Sequence, residues 1–185
     1  MKQKALFLDR DGTLNIDHDF VHKQDEWDWV DGAREKLLSY KNAGYVLIVI
    51  TNQSGIARDR FTQAQVDELH SWVNEELRKS HNIRFDAFFV APWHPDFHEG
   101  KSPLLLNDRK PATGLFHKAA NEFQIDFERS VMVGDKQTDL LPALELGISP
   151  FLVKSRFFDD ELKLWAEHFN IPILETIQSL PDPIL

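Results

Sequence analysis

The sequence has 185 residues, of which 42% are hydrophobic, and 30 acidic against 21 basic side chains give a formal net charge of −9. This length supports one buried core, so we expect a single domain over residues 1–185. The acidic balance excludes a protein that binds nucleic acid through a basic surface, and the absence of cysteine excludes disulfides, thiolate zinc sites and cysteine nucleophiles.

Short apolar runs, separated by amphipathic segments, predict strands that alternate with helices. Uninterrupted apolar runs of this length are typical of strands buried on both faces of a parallel sheet. In chain order, the predicted strands cover residues 5–8, 45–50, 87–90, 131–133 and 150–153.

The predicted helices lie between these strands and carry start and stop signals. Asp31 is placed to cap the first helix, which ends before Gly44. Thr62 and Gln65 have the spacing of a capping box at the start of the second. Three further helices begin near residues 113, 140 and 159. This alternation predicts an α/β fold with a doubly wound parallel sheet and helices on both faces.

Two connections, over residues 12–30 and 91–112, are longer than is usual in a compact domain. Loops of this length are often lids or binding loops, although ordinary surface excursions are the alternative. We therefore expect them to border the functional site.

Polar side chains follow three of the predicted strands at the points where the strands end. Asp9 and Asp11 follow the first strand, Thr51 and Asn52 follow the second, and Asp135 follows the fourth. Ligands bind at the carboxyl ends of strands in an open parallel sheet, so we expect these groups to gather at one edge.

Each group has a task in phosphoryl transfer. Asp9 offers a carboxylate for in-line attack on phosphorus, which forms an aspartyl-phosphate, and Asp11 protonates the leaving alkoxide and then activates water. Thr51, with Lys110 from the loop before the third helix, binds the phosphoryl oxygens. Asp135 completes an all-oxygen magnesium site with Asp9, the Asp11 carbonyl and water.

Taken singly, these residues also have ordinary structural explanations. The Asp-x-Asp-Gly stretch at 9–12 is typical of turns, and Thr51 with Asn52 suits hydrogen bonding at a strand end. Asp135 has the position of a helix N-cap, and Lys110 that of a solvated loop lysine. Their occurrence together, in one order of strands and helices, is what predicts a phosphatase.

Four stretches resemble the motifs of the haloacid dehalogenase (HAD)-like hydrolase superfamily. They are Phe-Leu-Asp-Arg-Asp-Gly-Thr-Leu-Asn at 7–15, Thr-Asn-Gln-Ser-Gly-Ile at 51–56, Arg-Lys-Pro at 109–111 and Val-Gly-Asp-Lys-Gln-Thr-Asp at 133–139. Motif spacing and the segment at 17–22 resemble the heptose-1,7-bisphosphate 7-phosphatase family, with histidinol-phosphate phosphatases as near relatives. The resemblance covers about residues 4–153 and implies a compact, essentially capless HAD core whose loops select the substrate.

The resemblance also implies a role for individual residues. Asp9 matches the nucleophile and Asp11 the general acid and base. Phosphate and substrate contacts are implied for Thr51, Asn52, Arg109 and Lys110, and magnesium ligation for Asp9, Asp11 and Asp135. Lys136 and Asp139 match supporting positions. Arg58 is expected to meet a distal phosphate, with a solvated loop arginine as the alternative.

The chain departs from the pattern of these relatives at one metal site. Many of them bind a structural zinc before the Arg-Lys-Pro motif through a Cys-x-His pair and a Cys-x-Cys pair. Those ligand positions align with Ala91, Trp93, Leu106 and Asp108, so zinc is not expected. His94 and His98 remain, but without thiolates their spacing is poor for tetrahedral zinc. We expect apolar packing to order this loop instead, through Trp93, Phe97, Leu104 and Leu105.

The predicted function is a magnesium-dependent phosphatase that removes the 7-phosphate of a heptose 1,7-bisphosphate through an aspartyl-phosphate. Histidinol phosphate or another small phosphomonoester is the alternative substrate. A polynucleotide 3′-phosphatase shares the Thr-Asn-Gln motif but conflicts with the acidic charge. A phospho-receiver needs a lasting aspartyl-phosphate, which Asp11 is placed to hydrolyse.

The predicted partner is a small-molecule phosphate ester, with neither nucleic acid nor a membrane, and we expect a cytoplasmic monomer. No stretch approaches the ~20 apolar residues of a membrane span, and the N-terminal apolar run is too short for a signal peptide. Residues 171–185 are expected to dock on the domain.

Overall fold

The computed structural model describes residues 2–97 and 103–183. Within them, six parallel strands form one sheet in the order β3-β2-β1-β4-β5-β6. The strands are β1 Ala5–Leu8, β2 Val46–Asn52, β3 Ala87–Ala91, β4 Val131–Gly134, β5 Ser149–Val153 and β6 Ile173–Leu174. The helices are α1 Ala33–Asn42, α2 Gln63–His81, α3 Gly114–Phe123, α4 Gln137–Leu146 and α5 Asp160–His168. The predicted doubly wound α/β fold is confirmed.

The sheet separates two hydrophobic cores, as the alternation of side chains along a strand requires. On β1, Leu6 and Leu8 pack into the core under α1 and α2. Ala5 and Phe7 point the other way, into the core under α3, α4 and α5. All four side chains are fully buried. The first strand is thus held on both faces, which makes its carboxyl end a rigid platform.

Helix starts agree with the prediction in one case and differ in another. Thr62 caps α2 in a capping box, in which the Gln65 amide donates to Thr62 Oγ1 and the Thr62 amide donates to Gln65 Oε1. Asp31, predicted to cap α1, does not. The N-cap is Gly32, whose φ of 73° is left-handed and whose missing Cβ leaves room for Gln178.

The segment after α5 contributes more to the fold than was predicted. Ile173–Leu174 extends the sheet as β6 beside β5, and a 3₁₀ turn at Ile177–Ser179 buries Ile177 and Leu180 in the core. A two-residue strand is too short to be recognised by periodicity. Among the described residues, none of the helices combines the length and hydropathy of a transmembrane span.

Candidate active site

The carboxyl ends of β1, β2 and β4 border a cavity of about 350 Å³. The first strand delivers Asp9, whose backbone amide donates to the Val133 carbonyl of β4 at 2.9 Å, and β2 delivers Thr51 and Asn52. Among the residues that the structure describes, the cavity is lined by Asp9, Asp11, Asp17, Asp19, Phe20, Thr51, Asn52, Gln53, Ser54, Arg109, Lys110, Lys136, Thr138, Asp139, Arg156 and Phe157. Strand order therefore brings together side chains that are far apart in sequence.

Lys110 lies at the centre of the charged groups. It is 2% exposed, and its Nζ donates to Asp9 Oδ1 at 2.6 Å, to the Ile50 carbonyl at 2.6 Å and to Asp139 Oδ1 at 2.9 Å. Burial opposes its charge, but Asp139 and Asp9 outweigh burial and raise the pKa of Lys110. The lysine is therefore a fixed buried cation.

Asn52 holds the backbone of this lysine in place. Its side-chain amide donates to the Lys110 carbonyl at 3.1 Å and its Oδ1 accepts from the Lys110 amide at 3.0 Å. The resemblance implied a contact with substrate for Asn52. The structure adds a second role, in which Asn52 ties the end of β2 to the segment before α3.

Asp9, Asp135 and Asp139 form a cluster in which one oxygen of each lies within 4.8 Å of the others. Burial, then Asp139, raises the pKa of Asp9 to about 6, although Lys110 lowers it. Burial, then Asp139 and Asp9, raises the pKa of Asp135 to about 8. Buried carboxylates packed this closely require compensating positive charge.

The cluster fits a hard divalent cation. Asp135 Oδ2 is buried without a hydrogen-bond partner, as a metal ligand held for an ion would be. Gly12 adjoins it with a φ of 87°, and a Cβ at that position would lie 2.2 Å from this oxygen. A glycine is therefore required here, both for its backbone conformation and for the space beside the carboxylate.

Asp139 and Lys136 organise the start of α4. Asp139 Oδ2 accepts from the amides of Asp135 at 3.2 Å and Lys136 at 3.0 Å, while its Oδ1 pairs with Lys110. Lys136 Nζ lies 3.3 Å from Asp135 Oδ1. Burial opposes the charge of Lys136, but Asp135, Asp9 and Asp139 raise its pKa. Both residues thus support the acidic cluster.

Asp11 is held by a network of donors. Arg10, which is fully buried, donates from Nε and Nη2 to the Asp11 carboxylate at 3.0–3.2 Å. Asn15 Nδ2 donates to Oδ1 at 3.1 Å, and Gln53 Nε2 donates to Oδ2 at 2.9 Å and to Thr51 Oγ1 at 2.8 Å. Burial raises the pKa of Asp11, but the charge and hydrogen bonds of Arg10 outweigh it, so the net shift is downward.

Three residues of this network were not assigned by the sequence: Arg10, Asn15 and Gln53. All three lie inside stretches that resemble HAD motifs, and this position is the signal that could have identified them as site residues. Behind Arg10, the buried His70 of α2 approaches Arg10 Nη1 at 3.3 Å. Burial, then the charge of Arg10, lowers the pKa of His70 to about 3, so this imidazole is neutral at pH 7.

The two predicted substrate arginines have different positions. Arg109 lines the cavity and donates from Nη1 to the Trp93 carbonyl at 3.0 Å. Arg58 is absent from the described lining. Its guanidinium lies 4.4 Å from the Phe97 ring centre, and its Nη2 lies 3.2 Å from His94 Nε2. Its contact with a distal phosphate stays a prediction.

The loop at the four zinc-aligned positions is held by other contacts. Asp108 is buried and pairs with Lys118, and the Trp93 carbonyl accepts from Arg109. Phe97 is 41% exposed and packs against Arg58 and His94, so its contact is a cation–π contact and not part of an apolar core. His98 and the side chains of Leu104 and Leu105 lie outside the described residues.

Comparison with known proteins finds relatives among HAD-like hydrolases. A model of HAD-hydrolase-like proteins matches residues 107–180. A D-glycero-β-D-manno-heptose-1,7-bisphosphate 7-phosphatase of Escherichia coli O6:H1 is 40% identical over 181 residues, which cover 97% of this chain and 93% of the relative. The enzyme of the same name from Haemophilus ducreyi is 40% identical over 148 residues, covering 80% and 81%.

A solved structure has the same architecture over nearly the whole chain. The D,D-heptose 1,7-bisphosphate phosphatase of B. bronchiseptica, complexed with magnesium and phosphate, superposes with a TM-score of 0.80 at 29% identity and covers 96% of both chains. A second, from Burkholderia thailandensis, gives a TM-score of 0.62 at 26% identity and covers 96% of this chain and 95% of its own.

Proposed function

The chain belongs to the D-glycero-β-D-manno-heptose-1,7-bisphosphate 7-phosphatase family of HAD-like hydrolases, and from this membership we propose that it removes the 7-phosphate of such a heptose bisphosphate. It is a phosphoric monoester hydrolase, as its relatives are. The observation that supports the proposed chemistry is the contact of the buried Lys110 with both Asp9 and Asp139 at the end of β1.

The proposed reaction has two displacements at phosphorus. In the first, a carboxylate oxygen of Asp9 forms a bond to phosphorus while the bond to the sugar oxygen breaks. Asp11, whose lowered pKa an anionic substrate beside it would raise again, gives a proton to the departing alkoxide. In the second, Asp11 takes a proton from water, whose oxygen attacks the aspartyl-phosphate and releases inorganic phosphate and the Asp9 carboxylate.

The remaining residues bind the substrate and neutralise its charge. Thr51, Lys110 and Arg109 line the cavity, where Thr51 and Lys110 would bind the phosphoryl oxygens and Arg109 the rest of the substrate. We propose that Asp9, Asp135 and the Asp11 carbonyl hold magnesium, which when bound neutralises charge on the phosphoryl group. Asp139 orients Lys110, and Lys136 balances the charge of Asp135.

A substrate panel tests the proposed function. Steady-state kinetics with magnesium should give the highest kcat/KM for D-glycero-β-D-manno-heptose 1,7-bisphosphate, compared with histidinol phosphate and common sugar monophosphates. A preference for histidinol phosphate would contradict the substrate assignment while leaving the phosphatase chemistry intact. A net charge of −9 supports a small ester over nucleic acid. The cytoplasmic location and the monomeric state stay predictions.

Magnesium should stabilise the protein more at pH 8 than at pH 5. Asp9 and Asp135 have pKa values of about 6 and about 8 in the metal-free fold, against an ordinary 3.8. Because folding raises both pKa values, the protonated carboxyl groups add to the free energy of unfolding. This stabilisation is complete below about pH 4 and is lost as the pH rises through 6 and 8. Magnesium binds these groups in their deprotonated form, so it should recover the stability that is lost at the higher pH.

The measurement is the thermal midpoint with and without 10 mM magnesium at the two pH values, with a shift of several degrees expected only at pH 8. Asp135→Asn is the control, because it removes a proposed ligand at nearly constant volume, and it should abolish the shift. An equal shift at both pH values would place magnesium elsewhere.

A further inference from the structure

The buried face of α2 contains one titratable side chain, His70, which the proposed reaction does not use. The other buried residues of this helix have the spacing of an apolar stripe and are Val66, Leu69, Val73 and Leu77. His70 lies in the same stripe and is 5% exposed. Its ring stacks on Phe88 of β3, with the ring centres 4.1 Å apart. Buried polar groups are hydrogen-bonded, so the partner of this imidazole indicates what it does.

That partner is Arg10, the fully buried residue between Asp9 and Asp11. Arg10 Nη1 lies 3.3 Å from His70 Nε2. A guanidinium has only donors, so Nε2 accepts this hydrogen bond and the proton of the neutral ring lies on Nδ1. The low pKa of His70, caused by burial and then by the charge of Arg10, agrees with a neutral acceptor.

The same guanidinium determines where the Asp11 carboxylate lies. Arg10 Nε donates to the two carboxylate oxygens at 3.2 and 3.1 Å, and Nη2 donates to Oδ1 at 3.0 Å. Nη2 also donates to the Val21 carbonyl at 2.6 Å. All three nitrogens are therefore engaged, with His70 as the acceptor for Nη1. A planar guanidinium held at all three nitrogens keeps one orientation, and its paired contact passes that orientation to the carboxylate.

We propose that His70 is a positioning residue for the phosphatase reaction: by accepting from Arg10 Nη1, it fixes the guanidinium that orients Asp11 for proton transfer. This inference rests on the chemistry of the proposed function and holds for whichever phosphate ester is the substrate. Without the acceptor, Nη1 would be unpaired in the protein interior, and the guanidinium would turn toward another acceptor. Asp11 would then lose its alignment with the leaving oxygen and with the attacking water.

Two substitutions of His70 separate the hydrogen bond from the packing. His70→Phe keeps a ring to stack on Phe88 but has no acceptor. It should lower kcat about 10–100-fold, since misplacing a reacting group by ~1 Å costs up to about 10²-fold. Its KM should stay within about twofold of the wild type, because Asp11 acts in the chemical steps and not in binding.

His70→Gln has the opposite combination of properties. It loses the ring but keeps an acceptor, because the glutamine Oε1 is as many bonds from Cα as the histidine Nε2 is. Its kcat should stay within about threefold of the wild type. Phe88→Leu is the matched packing control, because it removes the stacked ring and leaves His70 in place. It should lower the thermal midpoint by a few degrees while kcat stays near that of the wild type.

A double variant tests whether the effect of His70 passes through Asp11. Asp11→Asn alone already removes the proton transfer that His70 is proposed to align. Adding His70→Phe to it should change kcat by less than about twofold, since residues that act as a unit are not additive. A side chain that only stabilises the fold would instead reduce kcat by a similar factor in both backgrounds. Activity is measured with magnesium on the ester that the wild type hydrolyses fastest.

The outcomes are distinguishable. A kcat within about twofold of the wild type in His70→Phe would overturn the inference and make His70 a packing residue. An equal fall in His70→Gln or Phe88→Leu, or the same fall again in the Asp11→Asn background, would do so too. A preference for an ester other than the heptose bisphosphate contradicts the proposed substrate alone, because these comparisons use any ester that the wild type hydrolyses. A wild type that hydrolyses no phosphomonoester overturns the proposed function, and the inference with it.

Discussion

Asp9→Asn is expected to fold as the wild type does and to lose on the order of 10⁵-fold or more of its turnover. An amide oxygen is too weak a nucleophile to form the phosphoryl-enzyme, and without that intermediate the remaining groups only bind substrate. Burial already disfavours the charged form of Asp9, as its raised pKa of about 6 shows, so a neutral side chain of the same size is tolerated. Lys110 keeps Asp139 as a partner.

The measurements are phosphate release with magnesium and the thermal midpoint at pH 7, which should stay within a few degrees. Asp11→Asn is the matched control, because it keeps the nucleophile and should lose only about 10²–10⁴-fold. Substrate with a radiolabelled reacting phosphate should label the Asp11 variant covalently and leave the Asp9 variant unlabelled. Substantial turnover by Asp9→Asn would end the assignment of the nucleophile.

Replacing Lys110 should damage both stability and activity. Lys110→Met removes the buried cation that contacts Asp9 and Asp139, and it leaves the neighbouring carboxylates without that partner. Leaving a buried charge unpaired costs about 3–5 kcal/mol. In a chain of this size, that loss lowers the thermal midpoint by on the order of 10 °C. Loss of one positive donor to the phosphoryl group should also reduce kcat about 10²–10³-fold.

The pH dependence of the thermal midpoint and a double variant test whether unpaired carboxylates cause the loss of stability. The midpoint of Lys110→Met should fall further below the wild type at pH 8 than at pH 5, because Asp9, whose pKa is raised to about 6, takes up a proton at the lower pH. Adding Asp139→Asn removes one unpaired charge and should recover part of the midpoint but none of the activity. A midpoint that is equal to the wild type at pH 8 would contradict the role of Lys110 in the cluster.

Several local features could be predicted because neighbouring residues encode them. The capping box of Thr62 and Gln65 lies within one turn of helix, and the first strand is an unbroken apolar run. Asp31 failed as a predicted cap because the chain enters α1 through a left-handed residue packed against Gln178, which is 146 positions away. A contact at that separation leaves no pattern in the local sequence.

In the candidate site, too, some features could be predicted from the sequence and others could not. Motif resemblance named Asp9, Asp11, Lys110 and Asp135, whose roles the variants above are designed to test. The resemblance did not indicate that Arg58 packs on Phe97, because the residues next to Arg58 in the sequence do not show which loop its side chain contacts.

By itself, the sequence determined the alternation of strands and helices and the placement of acidic residues at strand ends, because periodicity and motifs are properties of adjacent residues. The tertiary structure decided which charges meet. Lys110 and Asp9 are 101 positions apart, and Arg156 and Asp19 are 137 apart. Their pairing depends on the order in which β1, β2, β4 and β5 lie in the sheet and on the loops that leave it, and that order results from the packing of both cores.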